Sequence, residues 1–324
     1  MEEQVMNFNE QFKWRPELLR AERLPGNPSN IIVCGMGGSH LGARLLLRHD
    51  STLPIKIHSD YGLPRKSDER LRSALIVASS YSGETEETLD SARSAVDAGL
   101  NVAVITTGGA LASYAEEHSL PLILVPKEKV EPRMAVGAFM LALARLMRDT
   151  ELEKNIREVG ASIDVKKGQI DGEALAKRLV GTIPLIYSST LNMPLAYFWK
   201  IAFNETAKVP AFYNLFPELC HNELSGFDTH EHTRELSSHM SILFLKDSYD
   251  HARIIKRMRI MKELLTARDI KVEEIELSGN SGLEKALNGI LFGVWTALAL
   301  AKEYGVPDAV TPLISEFKRK MSES

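Results

Sequence analysis

The sequence predicts an α/β protein with two successive domains, each a mostly parallel sheet flanked by helices, and a terminal helix after the second. Three observations carry that expectation. Short apolar, β-branched runs alternate with helical stretches in both halves, and glycine- or hydroxyl-rich turns follow the first runs of each half. The chain has 324 residues, 44% of them apolar, which is enough for two cores of ordinary size.

A polar segment over 1–30 precedes the first strand, Ile31–Cys34. Further strands are expected at Ile55–His58, Ala74–Ala78, Val102–Ile105 and Leu122–Val125, with helices near Leu41–Leu47, Glu84–Ala98 and Leu111–Glu117. After the polar turn Pro126–Pro132 an apolar helix runs from Ala135 to Met147, so the first domain is placed at 31–150. A charged helix and linker, Arg148–Lys167, leads into a second domain, giving 151–310 in all. Its expected strands are Ile183–Tyr187, Ser241–Leu245 and Lys271–Leu277, with helices at Pro194–Lys208, Ala252–Thr266 and Gly282–Glu303. Thr311 before Pro312 reads as a cap, so 311–324 should form a terminal helix.

Composition excludes several classes. A net charge of −4 with scattered basic residues gives no electrostatic stripe for nucleic acid. Met1-Glu-Glu-Gln lacks the basic flank and apolar run of a secretory signal. The two cysteines, Cys34 and Cys220, offer neither a disulfide framework nor zinc-like spacing, so a cytoplasmic protein is expected. The apolar stretch Ala286–Ala301 is too short to span a bilayer and ends in Lys302-Glu303, so it reads as a buried or interface helix rather than a membrane segment.

Ligands of open α/β sheets bind where strands end and helix N-termini offer free N–H groups. Two such places stand out. Gly35-Met-Gly-Gly-Ser39 allows a sharp turn and close backbone approach. With Asp60 downstream it could pass for a dinucleotide fingerprint, but His40 takes the third glycine position, so no nicotinamide or flavin is expected. Ser79-Ser-Tyr-Ser-Gly-Glu-Thr-Glu-Glu-Thr88 follows an apolar strand. Its hydroxyls at Ser80, Ser82 and Thr85, with Gly83 between them and a helix starting near Thr85, form a compact set of donors for a phosphate monoester. An ordinary serine-rich turn with a helix cap has the same composition.

These two loops resemble the signature loops of sugar isomerase (SIS) domains. With Glu131-Pro-Arg133 and His221-Asn-Glu-Leu-Ser-Gly226, the resemblance narrows to the bifunctional phosphoglucose/phosphomannose isomerase family and extends from about Ile31 to Lys318. Two positions depart from the family pattern. Glu84 stands where the loop often has Asn or Asp, and His40 stands where glycine is common.

The resemblance implies two SIS-type domains that bind a phosphorylated hexose between them, with Gly37, Gly38, Ser39, Ser80, Ser82 and Thr85 at the phosphate. It implies aldose–ketose isomerisation of glucose 6-phosphate and mannose 6-phosphate to fructose 6-phosphate through a cis-enediolate. Such a reaction needs a carboxylate base between C2 and C1 and a group that stabilises the enediolate oxygen. By resemblance Glu223 is the base, with Glu218 the weaker alternative, and Arg133 is the stabilising cation. His239 and Lys318 match the family's ring-opening residues, and a histidine exchanges protons near neutrality. Thr311, seven residues before Lys318, would face the same pocket about two turns away and leave room at C2 for either epimer. In this family the histidine comes from a second subunit, which implies a homodimer with His239 contributed across the interface. His221, His230 and His232 lack a convincing set of partner ligands, so no metal is expected, and no other cofactor. Isomerisation of another sugar phosphate, and phosphosugar sensing without catalysis, are the remaining readings. A sensor's usual helix-turn-helix domain has no room before Ile31.

Overall fold

The computed structural model describes residues 1–324 apart from 27, 29, 66, 67, 128, 129, 229 and 324. The chain divides into two compact units. One comprises 3–165 with 281–284, and the other comprises 1–2, 166–280 and 285–324.

The first unit contains β1 (Ile31–Cys34), β2 (Ile55–His58), β3 (Leu75–Ser80), β4 (Asn101–Thr106) and β5 (Leu122–Leu124), all parallel in the order β2-β1-β3-β4-β5. β1, β3 and β4 are almost wholly buried, so they read as continuous apolar runs rather than alternating ones. The chain leaves β1 toward one edge and returns as β3 on its other side, so the strand order switches between β1 and β3. At such a point the loops leaving two neighbouring strands diverge and open a crevice. β3 runs two residues further than its apolar pattern indicates, carrying Ser79 and Ser80 into the sheet, both buried.

From Glu3 onward the segment before β1 belongs to this unit, and it is less polar in its packing than its composition indicates. Val5, Phe8 and Phe12 are buried, and their three- and four-residue spacing puts them on one face of the turns Glu2–Met6 and Phe8–Lys13. The Phe12 ring lies against Gly137 and Gly160, where a Cβ would come within 2.6 and 2.1 Å of it. Gln11 Oε1 accepts from the N–H groups of Gly137 (2.7 Å) and Ala138 (3.2 Å), capping the apolar helix Val136–Leu146.

The second unit contains β6 (Ile183–Ser189), β7 (Phe212–Phe216), β8 (Met240–Lys246) and β9 (Lys271–Glu276), again parallel, in the order β7-β6-β8-β9. The order switches between β6 and β8, as it does between β1 and β3. Tyr187, Phe216 and Phe244 stand on one face of this sheet with ring centroids 5.5–6.5 Å apart, each pair contributing about 0.5–1.5 kcal/mol beyond its burial. They anchor a cluster that includes Leu219, Phe227 and Met258.

β7 and the helix Gln169–Leu179 add to the elements expected from sequence. The helix expected at Pro194–Lys208 is an α-helix only over Met193–Ala202, and a π-turn, Phe203–Ala207, finishes it. Gly282–Tyr304 is long and apolar enough to cross a membrane, but 83% of its most apolar window is buried inside the fold. Trp199 shows why: its Nε1 donates to Gly289 O at 2.9 Å, which locks this helix to Met193–Ala202. The terminal helix runs over Pro312–Ser322.

Candidate active site

In the first unit, the ends of β1 and β3 bring the two candidate loops together. Tyr81 N–H donates to Ser39 Oγ at 3.0 Å, and Ser79 Oγ donates to Ser39 O at 2.7 Å. Ser39 is thus the link between the loops. Gly38 is pressed against the Pro132–Met134 turn, where a Cβ would lie 2.8 Å from Pro132 O and 2.9 Å from Arg133 Cα. Only glycine permits that approach. It places Arg133 beside the first loop, although nearly a hundred residues separate them.

The serine loop is internally wired. Gly83 N–H donates to Ser80 Oγ (3.1 Å), Ser80 Oγ and Thr85 Oγ1 share a hydrogen bond (2.9 Å), and Glu84 N–H donates to Ser82 Oγ (3.2 Å). Ser80 is 1% exposed and works inside the loop, whereas Ser82 reaches the surface. Gly83 has φ +72° and abuts Gly108 O, where a Cβ would lie only 1.8 Å away, so any side chain would push the loop off its neighbour. Thr85 is the residue before the helix Glu86–Asp97, whose first helical bond is Leu89 N–H to Thr85 O. The N–H groups of Glu86, Glu87 and Thr88 therefore have no helical acceptor and, with the helix dipole, favour an anion.

Glu84 is turned away from that position. Its Oε1 accepts from Ala110 N–H at 2.9 Å, at the start of the helix Gly109–Glu117. The carboxylate is thus used as a helix cap, and the departure from the family pattern leaves the anion position clear. Glu84→Ala is expected to cost about 1 kcal/mol of stability, the usual worth of such a cap, with KM for a phosphorylated substrate changed less than about threefold. Urea unfolding and steady-state kinetics on one preparation check both.

His40, the other departure, is 2% exposed, with Arg44 Nε donating to its Nε2 at 3.4 Å. Burial first, then the Arg44 charge, lowers its pKa from 6.5 to about 4, against a hydrogen bond with the Gly37 backbone. The folded state therefore binds this proton more weakly than the unfolded chain. The stabilisation is complete above pH 6.5 and is lost as the pH falls from 6.5 toward 4. At pH 4.5 the loss should be about 2–3 kcal/mol. His40→Gln should flatten that acid limb, as read from urea midpoints at pH 7 and 4.5.

Arg133 is 2% exposed, and its Nη1 lies 3.2 Å from Glu131 Oε2. Its backbone lies in a short turn that leads into the capped helix Val136–Leu146.

In the second unit, Glu223 opens the turn Glu223–Phe227, with its N–H bonded to Asn222 Oδ1 at 2.6 Å. Tyr187 OH donates to its Oε1 and Asn214 Nδ2 to its Oε2. Tyr187 and Asn214 are register partners on β6 and β7, so they stand side by side on one face of the sheet. Neither was anticipated from sequence. A tyrosine in a fully buried strand needs a partner for its hydroxyl, and that was the available signal. Burial, then the hydrogen bond to Glu223, then its charge, raise the Tyr187 pKa far above the phenol range, so the hydroxyl stays a donor. Glu218 instead is exposed and accepts from Asn222 Nδ2 at 3.0 Å.

The chain does not bring every candidate to Glu223. His239 is exposed at the beginning of β8, its carbonyl accepting from Ile183 N–H at 2.7 Å. That is the start of β6, four residues and roughly 13 Å along the strand from Tyr187. Lys318 is exposed on the terminal helix; Arg319 and Lys320 beside it pair with Glu323 and Glu316, and among the described residues Lys318 has no such partner. Thr311 caps that helix through its carbonyl, which accepts from Ser315 N–H at 3.1 Å. His221, His230 and His232 are exposed, the last two with ring centroids 5.5 Å apart.

Residues 169–321 match the family described as the bacterial phospho-glucose isomerase C-terminal SIS domain. The chain is 31% identical to a bifunctional phosphoglucose/phosphomannose isomerase of Caldicellulosiruptor bescii, covering 100% of this chain and 99% of that one. It is 30% identical to a protein of the same name from Aquifex aeolicus, covering 98% and 97%. Among solved structures, a hypothetical protein from Thermus thermophilus aligns over 100% of this chain and 88% of its own, with a TM-score of 0.67 at 16% identity, a likeness of fold. The identities over essentially full length decide the family: the chain belongs to the bifunctional phosphoglucose/phosphomannose isomerases.

Proposed function

We propose that the protein is an aldose–ketose isomerase that interconverts glucose 6-phosphate and mannose 6-phosphate with fructose 6-phosphate through a cis-enediolate, using no metal or organic cofactor. The observation that carries this reading is Glu223, a carboxylate with a donor on each oxygen in a chain that also carries a built anion cradle. The relatives bearing that name support the choice of substrates.

The roles follow from the chemistry. Ser82, Thr85 and the N–H groups of Glu86, Glu87 and Thr88 receive the phosphate, while Ser80, Ser39, Gly37 and Gly38 shape the two loops. Glu223 carries the proton between C2 and C1. Arg133 stabilises the charge that develops on the enediolate oxygen, as a fixed cation does without reorganising. His239 and Lys318 open the ring, and Thr311 leaves room at C2 for both epimers.

His239 acts in the site of a second copy, and the protein is a homodimer. Its position away from Glu223 on the sheet favours this, as does the exposed apolar stripe Leu313, Ile314 and Phe317 on the terminal helix, 79, 44 and 63% exposed. A monomer in sedimentation at micromolar concentration would overturn the dimer. The cytoplasm is the compartment that suits two free thiols, one of which, Cys34, burial raises to about pKa 12 and so makes inert.

A coupled assay for fructose 6-phosphate tests the activity. Both aldose phosphates should turn over at roughly 1–1,000 s⁻¹. Saturable binding without turnover would favour a sensor instead.

A further inference from the structure

We propose that Tyr187 and Asn214 are positioning residues for the proton-transferring carboxylate, a role that rests on the functional reading above. The geometry is specific. The two residues are direct neighbours on β6 and β7, and each donates to a different oxygen of Glu223. Tyr187 is 0% exposed, and its ring is fixed by Phe216 and Phe244 at 6.5 and 6.3 Å. Asn214 is fixed as well, because its Oδ1 accepts from Leu215 N–H at 2.8 Å, which leaves the amide nitrogen for the carboxylate.

A carboxylate oxygen has two lone-pair directions. One donor on each oxygen halts rotation about the last side-chain bond and leaves one direction per oxygen open for the substrate proton. Glu223 itself sits on a short turn, which is a poorer platform than a strand. The sheet therefore supplies the rigidity that the turn lacks. A misplacement of about 1 Å at a reacting group costs on the order of 100-fold in rate, so loss of one donor should register in kcat while leaving phosphate binding alone.

The test uses the full-length protein and glucose 6-phosphate. Tyr187→Phe keeps the packed ring and removes only the hydroxyl, and Asn214→Asp keeps the acceptor for Leu215 and replaces the donor by a second carboxylate. Tyr187→Phe should lower kcat about 10- to 100-fold and Asn214→Asp more, with KM within about threefold of wild type. In a Glu223→Asp background, whose shortened side chain no longer reaches both donors, adding Tyr187→Phe should cost less than about twofold. A merely structural role would give equal losses in both backgrounds and would overturn the proposal. So would an active wild type with Tyr187→Phe and Asn214→Asp both within about threefold of its kcat. A wild type inactive on both aldose phosphates would instead bring down the functional reading, and this role with it.

Discussion

Glu223→Gln should fold as the wild type does, bind phosphorylated hexose with nearly unchanged affinity, and isomerise it on the order of 1,000-fold more slowly or worse. General base catalysis contributes typically about 10²–10⁴-fold, and here the base is the only group proposed to move the C2 proton. The amide is close in shape to the carboxylate, and the turn that carries it is held by Asn222, which accepts from the backbone N–H and not from the side chain. The loss should therefore fall on kcat rather than on KM or stability. Near wild-type turnover would remove Glu223 from the mechanism. The exposed Glu218, bonded to Asn222, would then be the next carboxylate to substitute.

The second large effect is expected at Arg133. Replacing it by Met should lower kcat about 10²–10³-fold, the usual worth of a preorganised group facing developing charge. The side chain is buried beside Glu131, so the variant also leaves that carboxylate without its ion pair and should melt lower. Arg133→Lys separates the two effects. Lysine keeps a charge but not the planar fork, so it should recover most of the stability and only part of kcat. If both variants turn over within about threefold of wild type while folded, the enediolate is stabilised elsewhere.

Much of this could be read along the sequence because the information was local. The apolar runs of β1 and β3 and the small residues after them announce two strand-to-helix turns, and the helix Ala252–Thr266 has the bounds its composition indicates. What stayed hidden depends on residues distant in the chain. β7 is a five-residue edge strand between Pro210 and Pro217, with Phe212 57% exposed, so it shows no continuous buried run. Asn214 was hidden with it, since its place beside Tyr187 is set by strand register 27 residues away. Gln169–Leu179 is a charged helix whose buried face is only Gly172, Leu175, Ala176 and Leu179. Glu84 raises a puzzle in sequence because its acceptor role is fulfilled at Ala110, in a loop that Gly83 and Gly108 press against it. The buried residues of the N-terminal segment did leave a local trace, in the spacing of Val5, Phe8 and Phe12.

In the proposed reaction the hydrogen leaves C2 as a proton and passes through a carboxylate. Incubating the wild-type protein with glucose 6-phosphate in deuterium oxide and following C1 and C2 by proton NMR tests it most directly. Fructose 6-phosphate carrying deuterium at C1, with deuterium also entering C2 of the returned aldose and both signals slowed on the order of 1,000-fold in Glu223→Gln, is the expected result; interconversion held at equilibrium through many turnovers with no deuterium at either carbon would contradict it.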